Sequence, residues 1–261
     1  AAFRGALYHE FDNDWSVLFS ADYAKDNSDP IPDSAAPPND VDNNVFTIEP
    51  AAGVTCSSAT PNTFQPQGCF TGYSNETTNL GYSLNIDGEI GNLSFASLTG
   101  YREMEDDMAS RIGFPYFQET DQDQFSQEFQ LLYNGDRLSG VAGIYYLDGS
   151  ADGAFDLLLS ALGLTVYQAG KQDKENFSVY GDFTYDVTDQ WSVSLGGRFT
   201  KDETTADVTR ELWLGLGSGS FDPTNTTSIF FTTQTGYVGL NREDEEFTPR
   251  VSVSYKPTDD L

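Results

Sequence analysis

The sequence predicts an all-β fold, an antiparallel portion of a transmembrane β-barrel, and three observations support this. Segments in which apolar and polar residues alternate recur along the chain of 261 residues, and this period of two is that of a strand with unlike faces. Short turns and long connections alternate between the segments, as they do in outer-membrane barrels. Aromatic residues, 14% of the chain, cluster at segment ends, where a barrel meets the two membrane interfaces.

Nine segments carry this alternation, and they are the predicted strands. These strands are 2–11, 15–25, 79–87, 92–104, 123–133, 138–148, 175–187, 191–202 and 246–256. The short turns are Asn13-Asp14, Asp87-Gly88-Glu89, Asn134-Gly135-Asp136, Thr188-Asp189-Gln190 and Thr258-Asp259-Asp260. The long connections are 26–78, 105–122, 149–174 and 203–245. A soluble sandwich is not expected to alternate so strictly, so we interpret the turns as periplasmic and the connections as extracellular loops.

One face of the strands is apolar, and in a membrane barrel that face contacts lipid while the polar face lines a wet lumen. The expected lipid-facing residues are Val17, Phe19, Val179, Phe183, Val193, Leu195, Val251 and Val253. The expected lumen-facing cations are Arg102, Arg198, Arg250 and Lys256. These cations could pair with carboxylates inside the pore or serve packing alone. Leu98 and Ile144 break the pattern, because both fall on the predicted polar side.

The composition argues against several functions. The chain has 41 acidic against 13 basic residues and a formal net charge of −28, whereas nucleic-acid binding needs a basic surface. No apolar run approaches the roughly 18 residues of a transmembrane helix. No catalytic or phosphate-binding motif occurs, and no pair of carboxylates stands out as a glycosidase site. We therefore predict no catalytic site, no cofactor and no metal site.

Two further features are assigned to loops. Acidic residues cluster at 26–42, 103–107, 119–123 and 243–246. Calcium binds such oxygens, but no calcium-binding loop motif is present, so solvated loops are the simpler interpretation. Residues 155–162 could form a short amphipathic helix within a loop.

Cys56 and Cys69 lie in the first long connection, within the segment CSSATPNTFQPQGC. Two cysteines in a loop rich in Pro, Ser and Thr, in an exported protein, favour a disulfide. A metal pair is the alternative, but the single histidine, His9, lies far away in a predicted strand.

Several segments resemble known barrel hairpins. FSQEFQLLYNGDRLSGVAGIYYLDG (125–149) closely resembles a hairpin of TonB-dependent outer-membrane receptors. So do SFASLTGYREMEDD (94–107), NFSVYGDFTYDVTDQWSVSLGGRFTKDE (176–203) and FTPRVSVSYKPTDDL (247–261). The opening stretch GALYHEFDNDWSVLFSADY fits the same strand–turn–strand plan. The resemblance covers nearly all the predicted strands, whereas the long connections resemble nothing with a known ligand.

The resemblance implies a receptor in the outer membrane of a Gram-negative bacterium. Such receptors resemble one another in having a barrel of about 22 strands filled by a plug domain. They are not enzymes: they take up scarce solutes, such as siderophore-bound iron, cobalamin or oligosaccharides, with energy from the TonB complex. The implied partners are outer-membrane lipid, the plug, the TonB complex and an extracellular small molecule or glycan. The solute and the ligand-binding residues stay unassigned.

The sequence departs from the family at both ends. No plug-like or TonB-contacting segment precedes Ala1, no signal peptide is visible there, and Leu261 follows a turn instead of ending an aromatic-terminated strand. We therefore expect residues 1–261 to be a partial barrel domain without plug, signal peptide or C-terminal strand.

Two alternatives compete with the receptor. One is a secreted, soluble β-sandwich that binds carbohydrate through aromatic loops such as Phe114-Pro115-Tyr116-Phe117. The other is a surface glycosidase, supported by generic carboxylates alone. A lipid-facing band would make the receptor dependent on detergent, which distinguishes it from both.

Overall fold

A computed structural model describes residues 1–12, 14–28, 74–112, 114–159 and 162–257. These residues form nine antiparallel strands in one sheet, each pairing with its neighbours in chain order. The strands are β1 Ala2–Glu10, β2 Trp15–Asp26, β3 Ser74–Ile90, β4 Leu93–Ile112, β5 Phe114–Asn134, β6 Leu138–Leu159, β7 Leu164–Asp186, β8 Trp191–Leu214 and β9 Ile229–Tyr255. The predicted all-β, antiparallel fold is confirmed.

Every strand except β1 is longer than predicted, and nearly all the added length lies at the ends joined by long connections. The predicted connections 105–122, 149–174 and 203–245 are therefore wrong in extent, because strand pairing continues through most of each. Polar residues occupy both faces along most of these extensions, so the apolar–polar alternation disappears there although the backbone pairing persists. The alternation marks only the part of a strand that has one apolar face.

Three local predictions are also corrected. Residues 155–159 of the proposed helix belong to β6, because Leu157 pairs with Val166 of β7 and Leu159 with Leu164. The acidic clusters at 103–107, 119–123 and 243–246 lie in strands instead of loops. The turn predicted at 87–89 lies at Gly91-Asn92, where Gly91 has a φ of 62° that suits glycine.

The register places the eight predicted lipid-facing residues on one side of the sheet, which we call the apolar face. Phe183 pairs with Leu195, and Leu195 with Val251. Ile144 pairs with Phe129 and Val179 on this same face, so its assignment to the polar side is wrong: β6 presents its even-numbered residues here. Leu98 lies on the opposite, polar face, as predicted, beside Glu128.

No second layer covers the apolar face within the described residues. Leu195 is 59% exposed and Val251 is 70% exposed. The buried hydrophobic side chains of the described part are Ala109, Leu158 and Val166, all in the strand extensions. None of the described residues forms a helix long and apolar enough to span a membrane.

Candidate functional site

The polar face carries ion pairs that span three strands. Asp22 in β2 and Arg102 in β4 both pair in register with Gly81 of β3, and the carboxylate and guanidinium meet above that glycine at 3.4 Å. Asp182 and Arg250 meet in the same way above Gly196, at 2.7 Å. Because the middle residue has no side chain, each pair joins strands that are not neighbours.

Arg198 is held differently from the other two arginines. Its Nε donates to Thr200 Oγ1 at 3.1 Å and its Nη2 to Ser178 Oγ at 3.0 Å. The guanidinium also lies 6.0 Å from the centre of the Tyr180 ring, a cation–π contact. Within the described part of the chain, no carboxylate lies within ion-pair distance of it. Arg198 is thus oriented by neutral groups and keeps donors free towards the open side of the sheet.

A third polar bridge lies beside Arg198. Tyr180 Oη donates to Glu128 Oε1 at 2.6 Å, across Gly143 of the strand between them. A Cβ at Gly143 would lie 2.5 Å from the Tyr180 ring, so the bridge depends on that glycine. The fourth predicted lumen-facing cation, Lys256, directly follows β9, and its backbone N donates to Gln190 O at 2.8 Å.

Aromatic side chains bound the apolar face at both ends. At the short-turn end, the Trp191 and Tyr255 rings lie 4.5 Å apart. Near the long connections, Tyr101 Oη donates a hydrogen bond to the Glu103 carboxylate. The Tyr101 ring lies where the apolar surface ends, and Glu103 lies where the charged surface begins. In β7 the apolar stretch runs from Tyr185 to Phe177, nine residues, which matches the roughly 9–11 residues of a transmembrane strand.

Beyond this stretch the strands continue far from the short turns. β7 extends 13 residues past Phe177, to Leu164, or about 40 Å.

On the apolar-face side the extensions are acidic. Burial and the carboxylate of Asp121 raise the pKa of Asp107, and burial and the carboxylate of Asp107 raise the pKa of Glu119. In the described part, no three acidic, His or Cys side chains are placed to hold a metal ion.

The connection 215–228 folds back over the strand ends and is fastened by hydrogen bonds. The Asp156 carboxylate of β6, 1% exposed, accepts from the Ser218 backbone N and Oγ, both at 2.6 Å. Gly217 N donates to Thr165 Oγ1 of β7 at 2.8 Å. The Phe221 ring packs 6.2 Å from that of Phe117 in β5. Burial raises the pKa of Asp156 to about 6, and Asp222 and Glu211 add to this, whereas the hydrogen bonds from Ser218 oppose it.

Sequence reasoning identified the two faces but missed the features that organise them. A single glycine in the sequence does not indicate a bridge. The arrangement of Asp, Gly and Arg in register on three strands would indicate one, but it becomes visible only when the strand pairing is known. Tyr116 and Phe117, proposed for a sugar-binding loop, lie in β5. Cys56 and Cys69 lie outside the described residues, so their disulfide stays a prediction.

Comparison with known proteins adds an independent observation. The sequence profile described as TonB dependent receptor-like, beta-barrel, matches residues 8–261. Among solved structures, the ferric yersiniabactin uptake receptor FyuA from Yersinia pestis is similar, with a TM-score of 0.65 and 13% identity, a likeness of fold alone. The match covers 99% of this chain and 35% of that one, so the chain spans about a third of the receptor's length. No curated protein matches the sequence significantly.

Proposed function

The chain belongs to the TonB-dependent receptor β-barrel family, and from this premise we propose that it forms part of the wall of an outer-membrane importer. The proposed activity is energy-dependent uptake of a scarce solute into a Gram-negative cell. The observation that carries it is a single sheet with one exposed apolar face, aromatic at both ends, and one polar face crossed by ion pairs. Such a sheet suits a wall between lipid and a wet pore.

In this proposal the apolar face contacts lipid. Val17, Phe19, Val179, Phe183, Val193, Leu195, Val251 and Val253 share that face. A soluble sandwich would cover such a face with a second sheet, because large exposed apolar surfaces are unfavourable in water. Across the described strands the face is bare, which favours the membrane wall over the carbohydrate-binding sandwich.

The polar face then lines the pore. Arg102 and Arg250 already have carboxylate partners in the wall, so Arg198 is the cation best placed to bind a carboxylate of a plug domain. Lys256 is a further candidate at the short-turn end. The free edges of β1 and β9 need further strands, because unpaired backbone groups are costly in hydrocarbon. A barrel of about 22 strands with a plug and a TonB-contacting segment would meet both needs.

Uptake in living cells tests this function. The full-length receptor is expressed in cells with and without TonB, and uptake of labelled ferric siderophores, cobalamin and neutral oligosaccharides is compared, with a protonophore as a second block. We expect one solute class to enter only in energised cells that have TonB. Receptor recovered in the soluble fraction without detergent, or uptake that persists without TonB, would contradict the proposal.

A further inference from the structure

Charged and uncharged side chains are segregated between the two sides of the sheet where residues 118–124, 149–155 and 168–172 of β5, β6 and β7 lie side by side. On the polar-face side, Thr120, Gly153 and Gly170 lie opposite one another in β5, β6 and β7. Gln122 and Gln172 flank them in the next row, and Gln168 lies one row further out. We call this surface, formed by these six residues, the amide trough.

The opposite side of the same strands is charged. Asp121, Asp152, Lys171 and Asp207 pair in register there, directly behind the amide trough. Since both sides of an extension meet water, solvation alone does not require the amides to lie on one side and the carboxylates on the other. The segregation therefore indicates that something other than solvation requires uncharged side chains on the polar-face side.

A depression of about 290 Å³ lies in the trough. Thr120, Gly153, Gly170 and Gln172 line it, and so do three residues whose side chains belong to the charged side, Asp152, Lys171 and Asp207. Packing does not require its two glycines. A Cβ at Gly153 would come no closer than 3.6 Å to another atom, and one at Gly170 no closer than 3.7 Å, both ordinary contacts. Neither glycine has a positive φ. The missing side chains instead keep the depression open.

The amides of the trough have unused hydrogen-bonding capacity. Within the described residues, the side chains of Gln122, Gln168 and Gln172 make no hydrogen bond to the protein. Each offers two N–H donors and a carbonyl acceptor. A half-exposed aromatic ring, Tyr237, lies in the row of Gly170 beyond Val208. Donors, acceptors and an aromatic surface without net charge match a ligand rich in hydroxyl groups.

Some of the charges that flank the trough on its own side are neutralised and others are not. Asp106, in register with Thr120, accepts a hydrogen bond from Thr77 Oγ1 but has no cation partner among the described residues. Lys174 lies 4.0 Å from Asp202, and Arg242 pairs with Asp244. Arg210, beside Gln168, has no carboxylate partner among the described residues. A single cation at the edge of the trough would attract an anionic ligand only weakly, and the chain's net charge of −28 repels anions.

We propose that the amide trough binds a neutral, hydroxyl-rich solute, an oligosaccharide, on its way into the pore. This inference rests on the proposed importer function and narrows its solute class. A site built from amides discriminates by hydrogen bonding, because a partner that leaves its donors and acceptors unpaired is rejected.

Calorimetry on the purified full-length receptor in detergent tests the binding. The probes are neutral mannan, xylan and α-glucan oligosaccharides, with alginate oligosaccharides and ferric citrate as anionic counterparts. We expect a neutral oligosaccharide to bind and the double variant Gln122→Leu/Gln172→Leu to weaken it at least tenfold. Glu119→Gln/Asp121→Asn, on the opposite side of β5 and outside the lining of the depression, is the matched control and should leave the affinity unchanged, as should Arg210→Gln. Circular dichroism verifies that every variant is folded.

Two results would contradict the proposal that the amide trough binds a neutral oligosaccharide. One is that no neutral oligosaccharide binds. The other is that an anionic probe binds, with affinity lost in Arg210→Gln and kept in the double glutamine variant. Uptake assays separate this failure from that of the importer: TonB-dependent uptake of an anionic chelate would retain the importer and refute the trough. Trough-dependent binding without TonB-dependent uptake would support the trough and refute the importer.

Discussion

Arg250 and Asp182 form an ion pair, 2.7 Å between Nη1 and Oδ2, across a strand that belongs to neither residue. Gly196 lies between them in register, and a Cβ there would lie 2.4 Å from Asp182 Oδ2 and 3.1 Å from the Gly181 carbonyl oxygen. The pair thus depends on a residue without a side chain, and Arg102–Asp22 above Gly81 repeats the arrangement.

Gly196→Ala should therefore destabilise the barrel. The added methyl group must displace the Asp182 carboxylate or push two strands apart, and overpacking of this kind costs about 1–3 kcal/mol. Equilibrium urea unfolding of the full-length receptor in lipid vesicles measures the loss. Gly170→Ala is the control, because its Cβ meets nothing closer than 3.7 Å. Equal effects of the two substitutions would show that the crossing does not depend on Gly196.

The part of the fold that sequence alone predicts is the part with unlike faces. Val193, Leu195 and their neighbours alternate with Ser192 and Ser194, so both strand and face follow from the period of two. In the extensions, Glu119, Asp121 and Asp123 alternate with equally polar Gln118, Thr120 and Gln122. Water on both sides removes the contrast that marks a strand, so those pairings become visible only in three dimensions. The bridges and the amide trough depend on residues from three or more strands in register, which a linear pattern does not contain.

Leu195→Arg and Ser194→Arg should differ in cost because adjacent residues point to opposite faces. Leu195 lies between Phe183 and Val251, away from the terminal aromatic residues. An arginine on the lipid face near the midplane costs about 2–4 kcal/mol. Ser194→Arg should cost about 1 kcal/mol, for the hydroxyl contact with Thr184 that it removes. Unfolding from vesicles compares them, and similar losses would show that the face assignment is wrong.

Labelling of intact cells should show which end of the strands faces outside. We expect Thr226→Cys, exposed in the long connection 215–228, to react with a membrane-impermeant maleimide. Asp136→Cys, exposed in a short turn, should react only after lysis, since the short turns are proposed to be periplasmic. The unsubstituted receptor is the control for Cys56 and Cys69. The reverse labelling pattern would invert the topology.

Cys56 and Cys69 should be bonded to each other in the mature receptor. In the chain-entropy model, closing a loop of this size stabilises the folded segment by roughly 3 kcal/mol. Mass spectrometry of non-reduced, alkylated protein should recover a cross-linked peptide pair and no alkylated cysteine. Two alkylated cysteines would refute the bond.

The closure of the connection 215–228 over the buried Asp156 should weaken as the pH rises, because burial disfavours the ionised carboxylate more than the hydrogen bonds from Ser218 favour it. Burial raises the pKa of Asp156 to about 6, above the unfolded value near 4, so the fastened connection favours the protonated acid. The contribution of protonated Asp156 to the stability of the fastened connection is complete below about pH 4. It is lost as the pH rises through 6, and the total loss is up to roughly 3 kcal/mol. The other titratable groups that face it, Glu211, Asp222 and Tyr167, supply no positive charge to offset this.

Hydrogen exchange measures this loss directly. In the full-length receptor, the amides of residues 215–228 should be better protected at pH 5 than at pH 7.5, after correction for intrinsic exchange rates. Asp156→Asn keeps the shape of the side chain without its titration, so protection in this variant should change little between the two pH values. Asp222→Asn is the control: it removes a neighbouring charge and should keep most of the pH dependence. Protection that stays equally pH-dependent in Asp156→Asn would assign the effect to another group.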